Sequence, residues 1–324
     1  MRDEAKSIER CLSSIADQRF PADCLEVWLF DGGSVDATRE IAGSFAAARL
    51  NWHVRDNPRL VQAAAWNLGI EAAAGEVIGI VSGHAELGAD YVAEAVATLD
   101  RTGAQMVGGP VRAVGDGRVG RAIALAMSTP FGVGGATFRY LDREADVDTV
   151  FMGLCRREIY QRFRFDETMV RDQDDELSYR ILDAGGRIVC NPAIVSSYRS
   201  RGSLTGLARQ YADYGYWKVE VIRRHPRQVR MRHLVPALFV GTLTVGFVVA
   251  TFWGPARPIL GALVALYLAS AIVATLVAGR NSPPGTRWTL PAVFATMHIS
   301  YGLGMFGGLA RVVSRAVSKG PSQG

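Results

Sequence analysis

The stretch "LEVWLFDGGSVDATREIAGSFAAARLNWHV", residues 25–54, decides the fold. Leu25 to Phe30 is a compact apolar run of strand length that ends at the carboxylate of Asp31. The Gly32-Gly33 turn lets backbone approach a ligand closely, and Ser34 adds a hydroxyl. A helical stretch follows from Asp36, its expected N-cap, to Ala48, and Asn51 to Val54 is a second short strand. On either side the same rhythm continues. Glu4 to Gln18 has helical periodicity through Ile8, Cys11, Leu12 and Ile15; Leu60 to Ala74 is a helix, Val77 to Val81 a strand and Ala89 to Asp100 a helix. This alternation predicts an α/β domain whose mixed, mostly parallel sheet is flanked by helices. Ligands of such sheets sit beyond the strand C-termini, where Asp31 and Ser82 fall. A domain of this kind opens with a strand, whereas this chain opens "MRDEAKSIERCLSSI". The reading therefore expects a translation start upstream of Met1.

The 324 residues are 49% hydrophobic with a formal net charge of +5. The basic excess crowds into Arg223, Arg224, Arg227, Arg230 and Arg232, immediately before a long apolar stretch. That placement predicts a membrane flank on the cytoplasmic side and argues against a nucleic-acid partner. Cys11, Cys24, Cys155 and Cys190 form no CxxC and no zinc spacing, so reduced thiols are expected. The charged first ten residues exclude a secretory signal at this end.

Residues 1–230 read as one domain and 231–324 as a membrane region. Leu234 to Trp253 and Ile259 to Ala278 are charge-free and long enough to cross about 30 Å of hydrocarbon, which predicts a transmembrane hairpin. Leu290 to Ala310 is a third apolar run, interrupted by His298, Ser300 and several glycines. Three crossings would put Arg311, Arg315 and Lys319 outside, against the positive-inside trend, so the third run either fails to span or breaks that trend.

Two further stretches carry chemistry. In "VRDQDDELSYRILDAGGRIVCNP", residues 170–192, Asp172, Asp174, Asp175 and Glu176 cluster before a helix that ends at Gly185-Gly186. Capping and the helix dipole account for some of these carboxylates, and one can serve as a general base. In "GEVIGIVSGHAELGADYV", residues 75–92, the strand breaks at Ser82-Gly83-His84. The glycine-rich Gly132–Tyr140 lacks the context and ending of a P-loop. His53 is expected to pack at a strand edge and His298 to be hydrogen-bonded within the apolar bundle. "YADYGYWK", residues 211–218, offers either a stacking platform or an interfacial anchor.

Taken together, "RDEAKSIERCLSSI", "DGGSVDAT", "NPRLVQAAAWNLGIEAAAGEVIGIVSGHAELGADYV", "DQDDELSYRILDAGGRI" and "RQYADYGYWK" resemble family-two glycosyltransferases of the GT-A fold, nearest the membrane-associated bacterial enzymes of the succinoglycan-synthesis type. The resemblance covers most of residues 1–225. It implies that the Arg2-Asp3-Glu4 loop, Asp31, Ser34 and Gln62 hold the nucleotide, with Asp31 on uracil. Ser82-Gly83-His84 falls where the family carries Asp-x-Asp for a divalent metal on the diphosphate. His84 then becomes the metal residue, Ser82 a departure on the donor, and Mn²⁺ or Mg²⁺ the cofactor. Asp174 matches the catalytic base, with Asp175 in reserve, while Gln173 replaces an acidic partner. Gln210 and Trp217-Lys218 resemble an acceptor-side motif. Arg2, Arg171, Arg199 and Arg201 are the alternative source of positive charge for the leaving diphosphate, and Glu86 a further ligand.

The function expected is inverting transfer of a sugar from a nucleotide-sugar, UDP-linked, to a lipid-linked saccharide in exopolysaccharide biosynthesis. The protein would be a multi-pass inner-membrane protein with its catalytic domain in the cytoplasm. The rival readings are a catalytically weak nucleotide-sugar-binding subunit of a polysaccharide assembly complex, and a polyprenyl-phosphate sugar transferase.

Overall fold

The computed structural model describes residues 1–318; Lys319, counted above in the basic tail, lies outside the described residues with the rest of 319–324. In chain order the elements are α1 (Ile8–Ala16), β1 (Val27–Asp31), α2 (Thr38–Ala47), β2 (Trp52–Asp56), α3 (Gln62–Ala72), β3 (Val77–Gly79), β4 (Ala85–Leu87) and α4 (Tyr91–Thr102). There follow β5 (Met106–Gly108), β6 (Val111–Val114), α5 (Gly117–Ala126), α6 (Pro130–Val133), β7 (Ala145–Asp146), β8 (Leu154–Arg156), α7 (Arg157–Phe163) and α8 (Gln173–Asp183). The chain continues through β9 (Ile188–Cys190), β10 (Ser196–Arg199), α9 (Leu204–Arg224), α10 (Met231–Phe252), α11 (Ala256–Ala278), α12 (Pro284–Arg287) and α13 (Leu290–Ser318). They pack as two units, one of residues 1–112 and 140–199, the other of residues 113–139 and 200–324.

In the first unit, α1 turns Ile8, Cys11, Leu12 and Ile15 into the core, the stripe that its periodicity predicts. β1 pairs β2 in parallel, from Val27↔Trp52 to Asp31↔Asp56. Met1 sits on the other side of β1: its N-terminus donates to Phe30 O (2.8 Å) and its carbonyl accepts from Gly32 N (2.9 Å), the pattern of one parallel bridge. The larger sheet has the order β3-β8-β5-β9-β7. It is mixed as expected, with β5–β9 parallel, but β3–β8, β5–β8 and β7–β9 are antiparallel. The difference comes from two short strands, β8, which inserts between β3 and β5 in the opposite sense, and β7 at the edge beside β9; their lengths leave no periodicity to read. Val107, Leu154, Val189 and Leu99 fill the space between this sheet and the helices. Asp36 lies one position outside the helix it was expected to cap, because Ala37 occupies the N-cap. Its carboxylate still accepts from Thr38 N (3.0 Å) and from Ala5 N (3.1 Å), so it ties α2 to the loop before α1. The cysteines are all free.

In the second unit, three helices are long and apolar enough to cross a membrane: Met231–Phe252, Ala256–Ala278 and Pro284–Arg315. α10 and α11 run antiparallel and expose Phe247, Phe252, Ile259 and Leu266, a surface that only lipid suits. α13 is different: Val293, Phe294 and Met297 are fully buried, and its glycines take the backbones of other helices. A Cβ on Gly304 would lie 2.1 Å from Ala212 O, one on Gly308 2.5 Å from Tyr216 O, and one on Gly215 2.1 Å from Tyr301 O. α9 and α13 therefore run side by side in the same direction at backbone contact, which only glycine permits. At the end of this seam the Arg311 guanidinium lies between the Tyr216 ring (4.4 Å) and the Trp217 ring (4.6 Å). It faces Glu220 at 3.9 Å, and Glu220 also binds Arg223 (2.5 Å) and Arg224 (2.9 Å). His298 is hydrogen-bonded within the bundle as expected, to Phe131 O (2.8 Å) and Tyr267 Oη (3.0 Å).

The seam tolerates no side chain. Gly215→Val is expected to lower the thermal midpoint of the detergent-solubilised protein, at a cost of about 3 kcal/mol or more. Gly261→Val, at a position with nothing within 4 Å, should leave the midpoint unchanged.

Candidate active site

The site is built where β1, β2 and β3 end. Asp31 closes β1 and is only 3% exposed. Such a carboxylate has to be met by donors. Ser34 supplies two, its hydroxyl to Oδ1 (2.5 Å) and its N–H to Oδ2 (3.2 Å), and Arg39 lies 3.5 Å from Oδ2. Gly33, at φ +73°, makes the reversal that brings Ser34 back onto Asp31. Ser34 Oγ also accepts from Asp3 N (3.1 Å), and Glu4 N donates to Thr38 Oγ1 (2.7 Å), so the Arg2-Asp3-Glu4 loop is pinned to this turn. Arg2 is exposed and borders Gly32. From β2, Asn57 donates its N–H to Asp31 O (2.7 Å) and its side-chain amide to Val61 O (2.9 Å). This places Gln62, exposed at the first turn of α3, one residue beyond that link.

Beyond β3, Ser82-Gly83-His84 meets the same loop. His84 Nδ1 is 3.0 Å from Glu4 Oε1, and Ser7 Oγ donates to Glu4 Oε2 (2.8 Å). Burial pushes the Glu4 carboxyl up, but the His84 and Ser7 hydrogen bonds and the His84 charge outweigh it and leave the group below its ordinary range. Ser82 is 7% exposed; its N–H meets Met152 Sδ (3.4 Å) and its carbonyl accepts from Ala85 N (2.9 Å). The β4–β10 pairing sets Tyr198 opposite Ala85, with its ring 6.4 Å from that of His84. Glu86 is held by Arg10 at 3.0 Å. A divalent cation would find one imidazole and one carboxylate already bonded to each other, beside a neutral hydroxyl. No cluster of three His, Cys, Asp or Glu side chains suited to a metal occurs among the described residues. These residues do not make a hard-oxygen site for Mn²⁺ or Mg²⁺ by themselves.

The acidic cluster separates into distinct jobs. Asp172 is the N-cap residue of α8 at φ +58°. Gln173 is buried, its amide on Met169 O (3.0 Å), so it packs where an acidic partner was expected. Glu176 is buried in a bidentate bond with Arg180. Asp174 and Asp175 remain half-buried in the first turn, with Asp175 N donating to Asp174 Oδ1 (3.0 Å). Asp174 lies within electrostatic reach of the buried Tyr160 phenol, which is pushed up by burial first and then by Cys155, Tyr91 and Asp174. Tyr160 Oη donates to Gly153 O (2.6 Å), which also accepts from Ile80 N (3.4 Å), two residues before Ser82. Tyr160 thus ties α7 to the strand that precedes Ser82-Gly83-His84, and Asp174 adds its charge to the surroundings of that phenol.

Gln210 bonds Tyr214 Oη (2.9 Å), and Trp217 is taken by Arg311. His53 stacks on Trp28 at 4.2 Å, as its strand position suggests.

The fold is GT-A. The chain belongs to glycosyl transferase family 2, whose model matches residues 1–164. It is 28% identical over 307 residues to the succinoglycan biosynthesis protein ExoA of Rhizobium meliloti, across 94% of this chain and 91% of that one. It is 27% identical over 230 residues to a dolichyl N-acetyl-alpha-D-glucosaminyl phosphate 3-beta-D-2,3-diacetamido-2,3-dideoxy-beta-D-glucuronosyltransferase of Methanococcus voltae, across 68% of this chain and 71% of that protein. Among solved structures it is similar to the mannosyltransferase PcManGT of Pyrobaculum calidifontis, solved with GDP-Man and Mn²⁺, at 20% identity and a TM-score of 0.56, covering 93% of this chain and 84% of that one.

One residue of the site escapes sequence reading. Asn67, on the buried face of α3, donates to Phe165 O (2.9 Å) and Glu167 Oε1 (2.9 Å) and accepts from Phe165 N (2.9 Å). It holds the loop that leads into Asp172 and Asp174. Its only local signal is a polar residue in an apolar helical stripe. Asn67→Ala is expected to destabilise the fold by about 2 kcal/mol, since it orphans buried backbone groups. Amide hydrogen exchange should rise most in residues 164–172; a uniform rise across the first unit would show that Asn67 does not act on that loop in particular.

Proposed function

We propose that the protein is an inverting glycosyltransferase that moves a sugar from a nucleotide-sugar donor, UDP-linked, to a hydroxyl of a lipid-linked saccharide. The observation that carries this reading is the Glu4–His84 hydrogen bond, which joins the Asp31–Ser34 turn to Ser82-Gly83-His84 at one edge of the domain. Asp174 enters the mechanism through its match to the family's catalytic base, half-buried in the first turn of α8. Asp174 takes the proton of the acceptor hydroxyl. The oxygen attacks the anomeric carbon from the face opposite the departing nucleoside diphosphate, so one bond forms as one breaks and the configuration inverts. Asp175 supports this by directing its N–H at Asp174 Oδ1. The Asp31–Ser34 turn and Asn57 shape the base and ribose side. Arg2 and the His84–Glu4 pair border the departing phosphates. The ExoA and Methanococcus voltae relatives support a saccharide acceptor on a lipid carrier. A catalytically weak donor-binding subunit is the second reading. It is favoured by the neutral Ser82 and by Gln173, whose amide is used up on Met169 O.

The third apolar helix supports a particular topology. Phe239 and Tyr267 stack beside His298, Gly302 meets Pro236 and Val240, and Phe306 meets Gly241. α13 therefore lies across the hairpin at nearly one level instead of following it. Beyond Tyr301 it packs on α9, a helix that carries Arg209, Asp213, Lys218 and Glu220. Leu290 to Ser300 alone covers about 16 Å, half of a bilayer core. In this reading α13 does not cross, and the hairpin of α10 and α11 spans the inner membrane. Arg311 and Arg315 then share the cytoplasmic face with Arg223 to Arg232, as the positive-inside trend requires.

Two outcomes test this. Asp174→Asn should lower sugar transfer on the order of 10²–10⁴-fold while nucleotide-sugar binding persists, measured by product formation and by thermal shift with donor. Undiminished transfer would remove Asp174 from the mechanism, and wild-type protein that binds donor without transfer would favour the second reading. A cysteine placed at Ser314 should react with a membrane-impermeant thiol reagent only in inverted vesicles. Labelling from the outside of intact cells would mean that α13 crosses.

A further inference from the structure

The loop after α11 and the start of α5 hold an arginine niche that sugar transfer does not use. A Cβ at Gly279 would lie 2.8 Å from Arg287 Cγ and 2.8 Å from Thr275 O, so the stem of Arg287 crosses the chain where only glycine leaves room. A Cβ at Gly285 would lie 3.1 Å from Arg118 Cδ, and the second stem passes there. Two arginine stems thus pass along residues 279–289. Arg118, Arg121, Arg280 and Arg287 form no ion pair among the described residues, whereas Arg10, Arg59, Arg101, Arg156, Arg187 and Arg223 are each paired with a carboxylate. Carboxylates are scarce in this part of the chain. No Asp or Glu follows Glu220 in the sequence, and Asp116 is the one acidic residue of 113–139.

The floor of the niche is polar and unsatisfied. Thr275 Oγ1, Thr286 Oγ1 and Arg287 Nε are buried without a hydrogen-bond partner, and Thr275 and Thr286 are 0% and 2% exposed. Buried polar atoms normally have partners, and three orphans beside two uncompensated arginines point to an anion with several acceptor oxygens. The location names its source. The niche lies at the end of α11, a membrane-length helix, and Trp288 beside it is 59% exposed with Arg287 over its ring. An exposed Trp with arginines at the end of an apolar helix marks the headgroup level of a bilayer.

We propose that this niche binds the phosphate group of a membrane lipid. Arg118 and Arg287 grip its oxygens, and the Thr275 and Thr286 hydroxyls and Arg287 Nε are satisfied when the lipid is bound. The assignment is independent of the role given to Asp174.

The full chain, purified in mild detergent and stripped of lipid, can be titrated by native mass spectrometry with three lipids of matched chain length: phosphatidylglycerol, a polyprenyl phosphate and neutral diacylglycerol. One or both phosphate lipids should be retained and diacylglycerol not, and the better retained names the source. Arg118→Gln, at an exposed position, and Arg287→Gln should each weaken retention about fivefold. Thr286→Val should weaken it with no change in charge. Arg257→Gln, at the opposite end of α11, should leave it unchanged. Equal retention of diacylglycerol, or equal losses in the Arg257 and Arg287 variants, would overturn the proposal.

Discussion

A carboxylate sealed at the end of a strand sets the terms for the donor side of this protein. Asp31 is cut off from water, and burying a charge is costly unless donors surround it. The Gly33 reversal exists to return Ser34 to it, and Ser34 in turn fixes the loop that carries Glu4. Glu4 then orients His84 from a different strand. Three segments distant in sequence are thereby linked through one charged group. Both oxygens of Asp31 are engaged by Ser34, and Arg39 approaches one of them.

Much of this was legible. β1, α2, β2 and α3 follow from apolar runs and turn residues, and the helical stripe of α1 is the one its spacing announces. Asp31, Ser34, Glu4 and His84 lie together at one edge of the first unit. What could not be read depends on partners far along the chain. Asn67 looks like an imperfection in an apolar helix until Phe165, 98 residues away, is placed against it. β8 is too short for periodicity, yet it sets the sense of the larger sheet. Gln173 looks like a lost acid, and packing shows it as a core residue bonded to Met169. The Tyr216-Trp217 pair advertises a stacking surface, and Arg311, nearly a hundred residues on, occupies it.

The helical unit follows a different rule. Its apolar runs are alike by composition, but glycine placement separates them. α10 and α11 spread their side chains toward lipid, while α13 uses Gly302, Gly304 and Gly308 to bring backbones into contact. Hydropathy reports only that a segment avoids water. Whether lipid or protein satisfies it depends on whether its small residues line up with those of a neighbour.

The clamp at the end of that seam has a chemical consequence. Arg223 first, then Arg224, hold the Glu220 carboxyl down to about 2 against the effect of its burial, and the ordinary value is 4.5. A group depressed in the folded state stabilises it fully above the unfolded value and loses that contribution only as acidity carries it through the folded one. The contribution of Glu220 therefore persists at full strength down to about pH 4.5 and fades from there toward about pH 2. Only acid well below pH 4.5 would loosen this fastening.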